Sequence, residues 1–84
     1  MKPIRLSGHA RLQLRFRGVT EDEIREAIEN SSWSNAEIGR LECRRDFAFG
    51  QDWNGKVYAF KQVRPIFVDE PTEIVVVTVY AYYF

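Results

Sequence analysis

Residues 20–32 carry the clearest helix pattern in the chain. Ile24, Ala27 and Ile28 recur at the spacing of one helical face. Before them, Thr20–Glu23 has the capping-box pattern, in which the threonine and the glutamate side chains each accept a hydrogen bond from the other residue's backbone amide. The acidic residues of that first turn suit the positive end of the helix dipole. The polar run at residues 30–32 predicts the end of this helix.

A shorter helix is predicted just before it, over His9–Arg17. Ser7 stands at the N-cap position, and Gly18 stands where a left-handed residue ends a helix. Met1–Leu6 is then either a short edge strand or an extended arm, because proline is tolerated at sheet edges. The first third of the chain therefore predicts a helix, a tight turn and a second helix.

Beyond residue 32 the apolar residues alternate as they do in strands. Asn54-Gly55 is a preferred dipeptide of tight hairpin turns, and Pro65 predicts a bend or an end in its strand. The predicted strands cover residues 33–38, 41–49, 56–67 and 73–83. The expected fold is α+β, with two N-terminal helices packed on a twisted antiparallel sheet of three to four strands. Residues 1–84 form one domain.

The last predicted strand has two distinct rows of side chains. One row is wholly apolar and is expected to face the helices: Val75, Val77, Val79 and Ala81. The other row becomes polar toward its end: Ile74, Val76, Thr78, Tyr80 and Tyr82. In the strand at 41–49, Arg45 interrupts an apolar row, so it needs either a charged partner or an opening onto a groove.

Composition then narrows the classes of protein. Hydrophobic residues make up 45% of the chain, enough to close one modest core, which argues against disorder. Lysine and arginine number 12, as do aspartate and glutamate, and this balance weakens any claim of broad, non-specific nucleic-acid binding. The charges are segregated, however, because residues 1–17 contain no acid and residues 21–29 are mainly acidic. One basic and one acidic face are predicted.

Cys43 and His9 are each the only residue of their type. A disulfide within the chain is therefore excluded, and neither a zinc site nor another cofactor is expected. No apolar run follows the first charged residues, so no signal peptide is predicted. The longest apolar stretch, residues 74–84, is too short for a membrane helix. We expect a cytoplasmic protein with no membrane partner.

Three polar residues of the first helix share one face, because His9, Gln13 and Arg17 follow each other at intervals of four. The run His9-Ala10-x-x-Gln13-Leu14-x-x-Arg17-Gly18-Val19-Thr20, the acidic second helix and the strand at 75–80 resemble a family of small proteins grouped with the RelE/ParE-like toxins of bacterial toxin–antitoxin systems. The resemblance extends from about Ser7 to Tyr80. Gln13 stands where that family often has arginine.

The resemblance implies a type II toxin that cleaves mRNA without metal, inhibits translation and is silenced by a cognate antitoxin. Such cleavage requires a base for the 2′-hydroxyl, cations for the phosphate and an acid for the leaving oxygen. It implies His9 as general acid or base, Arg17 on the scissile phosphate and Tyr80 as a positioning or proton-transferring hydroxyl. The implied RNA contacts are Gln13, Arg44, Arg45 and Lys61.

Each candidate catalytic residue also has a structural interpretation. His9 can satisfy backbone groups near a helix start, Arg17 can complement a helix C-terminus, and Tyr80 can pack with its hydroxyl bound to a neighbour. Two other functions are open on the same fold: a ParE-like inhibitor of DNA gyrase, which needs no catalytic residues, and a non-enzymatic interaction module. Fold analogy does not choose between them.

Overall fold

Six strands form one sheet, and two helices pack against one of its faces. The computed structural model describes residues 1–84. In chain order the elements are β1 (Ile4–Leu6), α1 (Gly8–Arg17), α2 (Glu21–Asn30), β2 (Ser34–Asn35), β3 (Leu41–Glu42), β4 (Arg45–Trp53), β5 (Lys56–Asp69) and β6 (Ile74–Tyr83).

The two longest strands, β5 and β6, form the middle of the sheet. The strand order is β1-β6-β5-β3-β2, and β4 also pairs with β5. With 14 residues, β5 is long enough to hold β4 beside its first half and β3 beside its second half. All pairs are antiparallel except β1 with β6, which run parallel.

The predicted fold class is wrong about the sheet. Strands hold 48% of the residues and helices 24%, and the sheet is mixed and six-stranded rather than antiparallel with three to four strands. One reason is that Met1–Leu6 supplies β1, which pairs parallel with the start of β6. The other is that the predicted strand at 41–49 is broken at Cys43-Arg44 into β3 and β4.

Both helices have the predicted capping. The Thr20 hydroxyl accepts from the Glu23 amide at 3.1 Å, and the Glu23 carboxylate accepts from the Thr20 amide at 2.9 Å. Between the helices, Gly18 adopts φ 68°, and a Cβ built there would lie 2.5 Å from the Trp53 ring. Both backbone and space therefore favour glycine. Neither helix is long and apolar enough to cross a bilayer.

The core lies between the helices and the sheet. α2 buries its predicted stripe completely, and the sheet contributes Val63, Phe67, Ile74, Val76 and Val79. Trp33 closes one end, because its ring meets Phe67 edge-on at 5.0 Å and its indole donates to the Ile28 carbonyl at 2.8 Å. The core thus holds α2 firmly over β5.

A β-bulge in β6 decides which side chains reach each face. The pairing of β5 with β6 shifts by one residue and leaves Val77 without an opposite partner. The row that faces the core is therefore Ile74, Val76, Val79 and Ala81. The predicted apolar row is wrong before the bulge, because Val75 belongs to the opposite row there.

β5 continues through Pro65 to Asp69, so the predicted end at this proline is wrong. Phe60 and Phe84 exchange both backbone hydrogen bonds, at 2.8 and 3.1 Å. The alternation of an antiparallel pair then turns the nitrogen of Pro65 away from β6. It faces the break between β3 and β4, where no strand requires a donor.

Candidate nucleic-acid interface

The face of the sheet away from the helices is called the open face here. The register of β5 and β6 places on it Gln62, Arg64, Ile66, Thr78, Tyr80 and Tyr82. A cavity of about 510 Å³ opens on this face beneath the segment at 35–40. Its polar lining residues are Asn35, Glu37, Arg40, Glu42, Arg64, Thr78 and Tyr80. This lining suits a polar ligand rather than an apolar one.

Tyr80 lies between two arginines. β6 presents it on the open face just after the bulge, directly opposite Arg64 of β5. The Cζ atom of Arg64 is 5.5 Å from the ring centroid, and the Cζ atom of Arg17, at the end of α1, is 5.4 Å from it. Both distances are those of cation–π contacts. The structure therefore brings the predicted Arg17 and Tyr80 together and adds Arg64.

Arg64 is held in a network with a carboxylate and a phenol. Its Nε donates to Glu42, and its Nη1 donates to the Tyr82 hydroxyl at 3.2 Å. The hydrogen bond from Arg64 lowers the pKa of Glu42, and the bonds to Glu42 and Tyr82 raise the pKa of Arg64. Both groups are therefore charged at neutral pH. A guanidinium carries five N–H groups in a fork that suits phosphate, so donors remain for an anionic ligand.

Arg17 reaches the same tyrosine from the helical side. Its backbone carbonyl accepts from the Tyr83 hydroxyl at 2.5 Å, which fixes the end of α1 beside β6. Its Nε is buried without a hydrogen-bond partner. Because this Nε is not exposed, only the other nitrogens of the guanidinium are candidates to bind an anion.

Gln13 is used by the fold itself. Its Oε1 accepts from the Thr78 hydroxyl and, at 3.0 Å, from the Val79 amide. β1 pairs with β6 only as far as Val76, so Gln13 satisfies an edge of β6 that no strand covers. Its carbonyl oxygen is therefore committed to the sheet rather than to RNA.

His9 lies apart from this cluster. It is exposed in the first turn of α1, eight residues before Arg17, which is roughly 12 Å along a helix axis. It does not line the cavity. Of the three predicted catalytic residues, the structure thus places two together and one at the far end of the helix.

Lys61 is buried on the opposite face of the sheet. Only 5% of it is exposed, and its ammonium donates to the Gly18 carbonyl at 2.9 Å and pairs with the Glu23 carboxylate at 2.7 Å. An ammonium held in this way does not reach a bound nucleic acid. The prediction of Lys61 as an RNA contact therefore fails on its burial.

The two remaining predicted RNA contacts differ in their surroundings. Arg44 is exposed, and its Nη1 lies 3.5 Å from the Gln62 amide oxygen. Arg45 points toward the helices, pairs with Glu26 of α2 at 3.4 Å and lies over the Phe47 ring. The interruption of the apolar row is thus explained by a charged partner. Arg44 remains near the open face, and Arg45 does not.

Two arginines line the cavity but were not among the predicted site residues: Arg40 and Arg64. Arg64 could be found only from its register with Tyr80, which depends on the bulge. Arg40 comes from a turn that has positive φ angles at Ile38 and Gly39, and no pattern of periodicity marks it. Together with Tyr80, these groups can bind a phosphate and supply a phenolic proton. No three potential metal ligands of the chain cluster together.

Comparison with known proteins gives no relative. No family model, no curated protein and no solved structure matches this chain. The open face and its cavity are therefore the features that bear on function.

Proposed function

We propose that this chain is the toxin of a type II toxin–antitoxin system, an endoribonuclease that cleaves mRNA without metal and inhibits translation. The observation that supports it most is Tyr80, which stands between Arg17 and Arg64 on an open, polar cavity. Two guanidinium groups beside one hydroxyl match the needs of phosphoryl transfer, where charge builds on the phosphate oxygens. The proposed site of action is the cytoplasm.

In the proposed reaction, the RNA 2′-hydroxyl gives its proton to solvent water, its oxygen attacks the adjacent phosphorus to form a 2′,3′-cyclic phosphate, and the bond to the 5′-oxygen breaks. Arg17 and Arg64 bind the phosphate and stabilise its developing charge, and the Tyr80 hydroxyl donates a proton to the departing oxygen. Glu42 holds Arg64 in place, and its lowered pKa keeps it a carboxylate rather than an acid. His9 takes part as the base for the 2′-hydroxyl only if bound RNA extends to the start of α1.

The proposed partner is an antitoxin that covers the open face. Arg17, Arg40 and Arg64 would otherwise bind RNA continuously. An acidic segment seated in the cavity would pair with the same cations and exclude RNA by competition.

The test combines growth arrest with cleavage in vitro. Wild type, Tyr80→Phe, Arg64→Ala and Arg17→Ala are induced in bacteria and assayed on labelled mRNA with EDTA present. Arg25→Ala is the matched control, because Arg25 is an exposed arginine of α2 outside the cavity. The proposal requires metal-independent cleavage that falls in the variants of Tyr80, Arg64 and Arg17 and persists in the control. Cleavage that is unchanged in all three of these variants refutes it.

A second candidate is an RNA-binding module that does not cleave. The position of His9 favours it, because the only imidazole lies outside the cavity. RNA binding without cleavage in the same assay would establish this alternative. Growth arrest that survives the cavity variants and is relieved by extra gyrase would instead indicate a ParE-like inhibitor.

A further inference from the structure

Three aromatic rings continue the open face beyond the cavity. Tyr82, Phe84 and Phe60 are 41%, 54% and 47% exposed, and none belongs to the core. Phe60 and Phe84 lie opposite each other and stack with ring centroids 5.6 Å apart. Tyr82 is tied to the cavity through its bond from Arg64. These three residues are called the aromatic row below.

The aromatic row is not explained by the folding of the chain. β6 directs Val79 and Ala81 to the core, so the alternate residues Tyr82 and Phe84 remain on the surface without a covering element. Contiguous exposed apolar groups in a soluble domain mark a binding surface more often than a packing accident. The arginine next to the row indicates what kind of ligand it suits. Rings beside a fixed cation are the combination that binds nucleic-acid bases and backbone together.

The spacing of the rings further restricts the ligand. Residues on one face of a strand repeat about every 6.6 Å, so Tyr82 and Phe84 present rings at that interval. A strand within a duplex has a repeat of only about 3.4 Å, and its bases are stacked on each other and paired. Successive bases can therefore rest on successive rings only in an extended strand whose bases are unpaired.

We infer that the aromatic row binds two to three unpaired bases of a single-stranded RNA whose phosphate lies in the cavity. This inference rests on the proposed function for the RNA ligand and adds its class: a strand that is unpaired next to the phosphate held by Arg17 and Arg64. The strand follows β6 from Tyr80 toward Phe84. Base stacking supplies the affinity along the row, and the arginines supply the salt-dependent part.

The test uses fluorescence anisotropy with two labelled RNAs, an unstructured 12-nucleotide strand and a hairpin with a 12-base-pair stem. Both carry 2′-O-methyl groups, so they cannot be cleaved. The protein variants are Phe60→Leu and Phe84→Leu, which keep an apolar side chain and remove the ring. Val57→Ala is the control, since Val57 is 68% exposed but lies outside the row. Thermal unfolding confirms that each variant folds.

Wild type should bind the single strand at least tenfold more tightly than the hairpin. Each ring variant should weaken single-strand binding by roughly 5- to 100-fold, the range measured for loss of one stacked base. The slope of affinity against salt should be unchanged in the ring variants and reduced in Arg64→Ala. Equal binding of strand and hairpin, or ring variants that bind as wild type does, overturns the inference.

Failure of the inference can be distinguished from failure of the proposed function. If the protein binds the single strand through the rings but never cleaves it, the inference holds and the ribonuclease function is excluded. Cleavage that the ring variants do not affect removes the inference alone. Binding of neither RNA removes both, and a dimer that Phe60→Leu dissociates would then assign the row to a second copy of this chain.

Discussion

Lys61 and Arg64 lie three residues apart on β5, yet they belong to different regions of the molecule. Lys61 points to the helices, where it is buried against Glu23 and the Gly18 carbonyl. Arg64 points to the open face, where its guanidinium keeps donors free beside Tyr80. The two cations look alike in the sequence. The face of the sheet decides which one stabilises the fold and which one can meet a ligand.

The strongest way to test this comparison is to remove the buried cation. Lys61→Met should lower the free energy of unfolding by roughly 3–5 kcal/mol, because breaking a buried pair leaves the Glu23 carboxylate without its partner. Urea unfolding measures the loss. Adding Glu23→Gln should recover part of it, and the exposed Arg44→Ala should change stability by less than about 0.5 kcal/mol. A loss below about 1 kcal/mol for Lys61→Met would contradict the structural role.

Removing Arg64, the cation of the open face, should reduce activity strongly and stability only slightly. Arg64→Ala should reduce RNA cleavage by about 10²-fold, the usual cost of one donor that stabilises a developing oxyanion. Its midpoint of thermal unfolding should move far less than that of Lys61→Met. Arg64→Lys should recover only part of the activity, because an ammonium lacks the planar fork. Full activity in Arg64→Ala would show that the cavity is not the site of RNA cleavage.

Gln13 lies between the two regions, and its substitution should lower the free energy of unfolding by less than Lys61→Met does. Gln13→Ala leaves the Val79 amide without its acceptor, so we expect a loss of about 1–2 kcal/mol in urea unfolding. Gln13→Glu keeps an acceptor oxygen and should be close to wild type. Gln13→Arg offers no acceptor and should behave like the alanine variant. If all three variants were equally stable, the bond from the Val79 amide to Gln13 would not stabilise the uncovered edge of β6.

The smallest expected effect is the acid dependence of the Glu42–Arg64 pair. The bond from Arg64 holds the pKa of Glu42 below its ordinary value near 4.5 in the folded state. Its stabilisation is therefore complete above about pH 4.5 and is lost as the pH falls through the lower folded-state pKa. Wild type should lose more of its free energy of unfolding than Glu42→Gln between pH 5 and pH 3, as urea unfolding at each pH would measure. Glu73→Gln, at the exposed pair with Arg5, is the control, and it should show a smaller difference.

The helices could be predicted because their signals are local. A capping box and a left-handed glycine depend on residues within four positions of each other, and both are found as expected. The parallel pairing of β1 with β6 joins residues about 70 positions apart, and nothing local to Ile4–Leu6 indicates it. The parallel pairing was missed for that reason, and the break at Cys43-Arg44 adds the other unpredicted strand.

The candidate site could be predicted only in part. Arg17 and Tyr80 were selected from the family resemblance, and the structure brings them into contact. Residues 74–77 are apolar at every position, so either set of alternate side chains could face the core. The sequence therefore gives no sign of the bulge, and the position of Arg64 opposite Tyr80 was missed. Lys61 was named as an RNA contact because of its charge, and only its pair with Glu23 shows that it occupies a core-facing position.

The extra residue at Val77 sets which way every later side chain of β6 points. Deleting Val77 would restore regular alternation and leave both sides unchanged, because Val76 already faces the core and its new neighbour Thr78 already faces the open face. Closing the bulge with Val77 still in the chain would instead turn Tyr80 and Tyr82 toward the helices, and Val79 and Ala81 toward water. The core and the proposed binding surface therefore depend on the same irregularity, which tolerates the loss of its residue better than the loss of its shape.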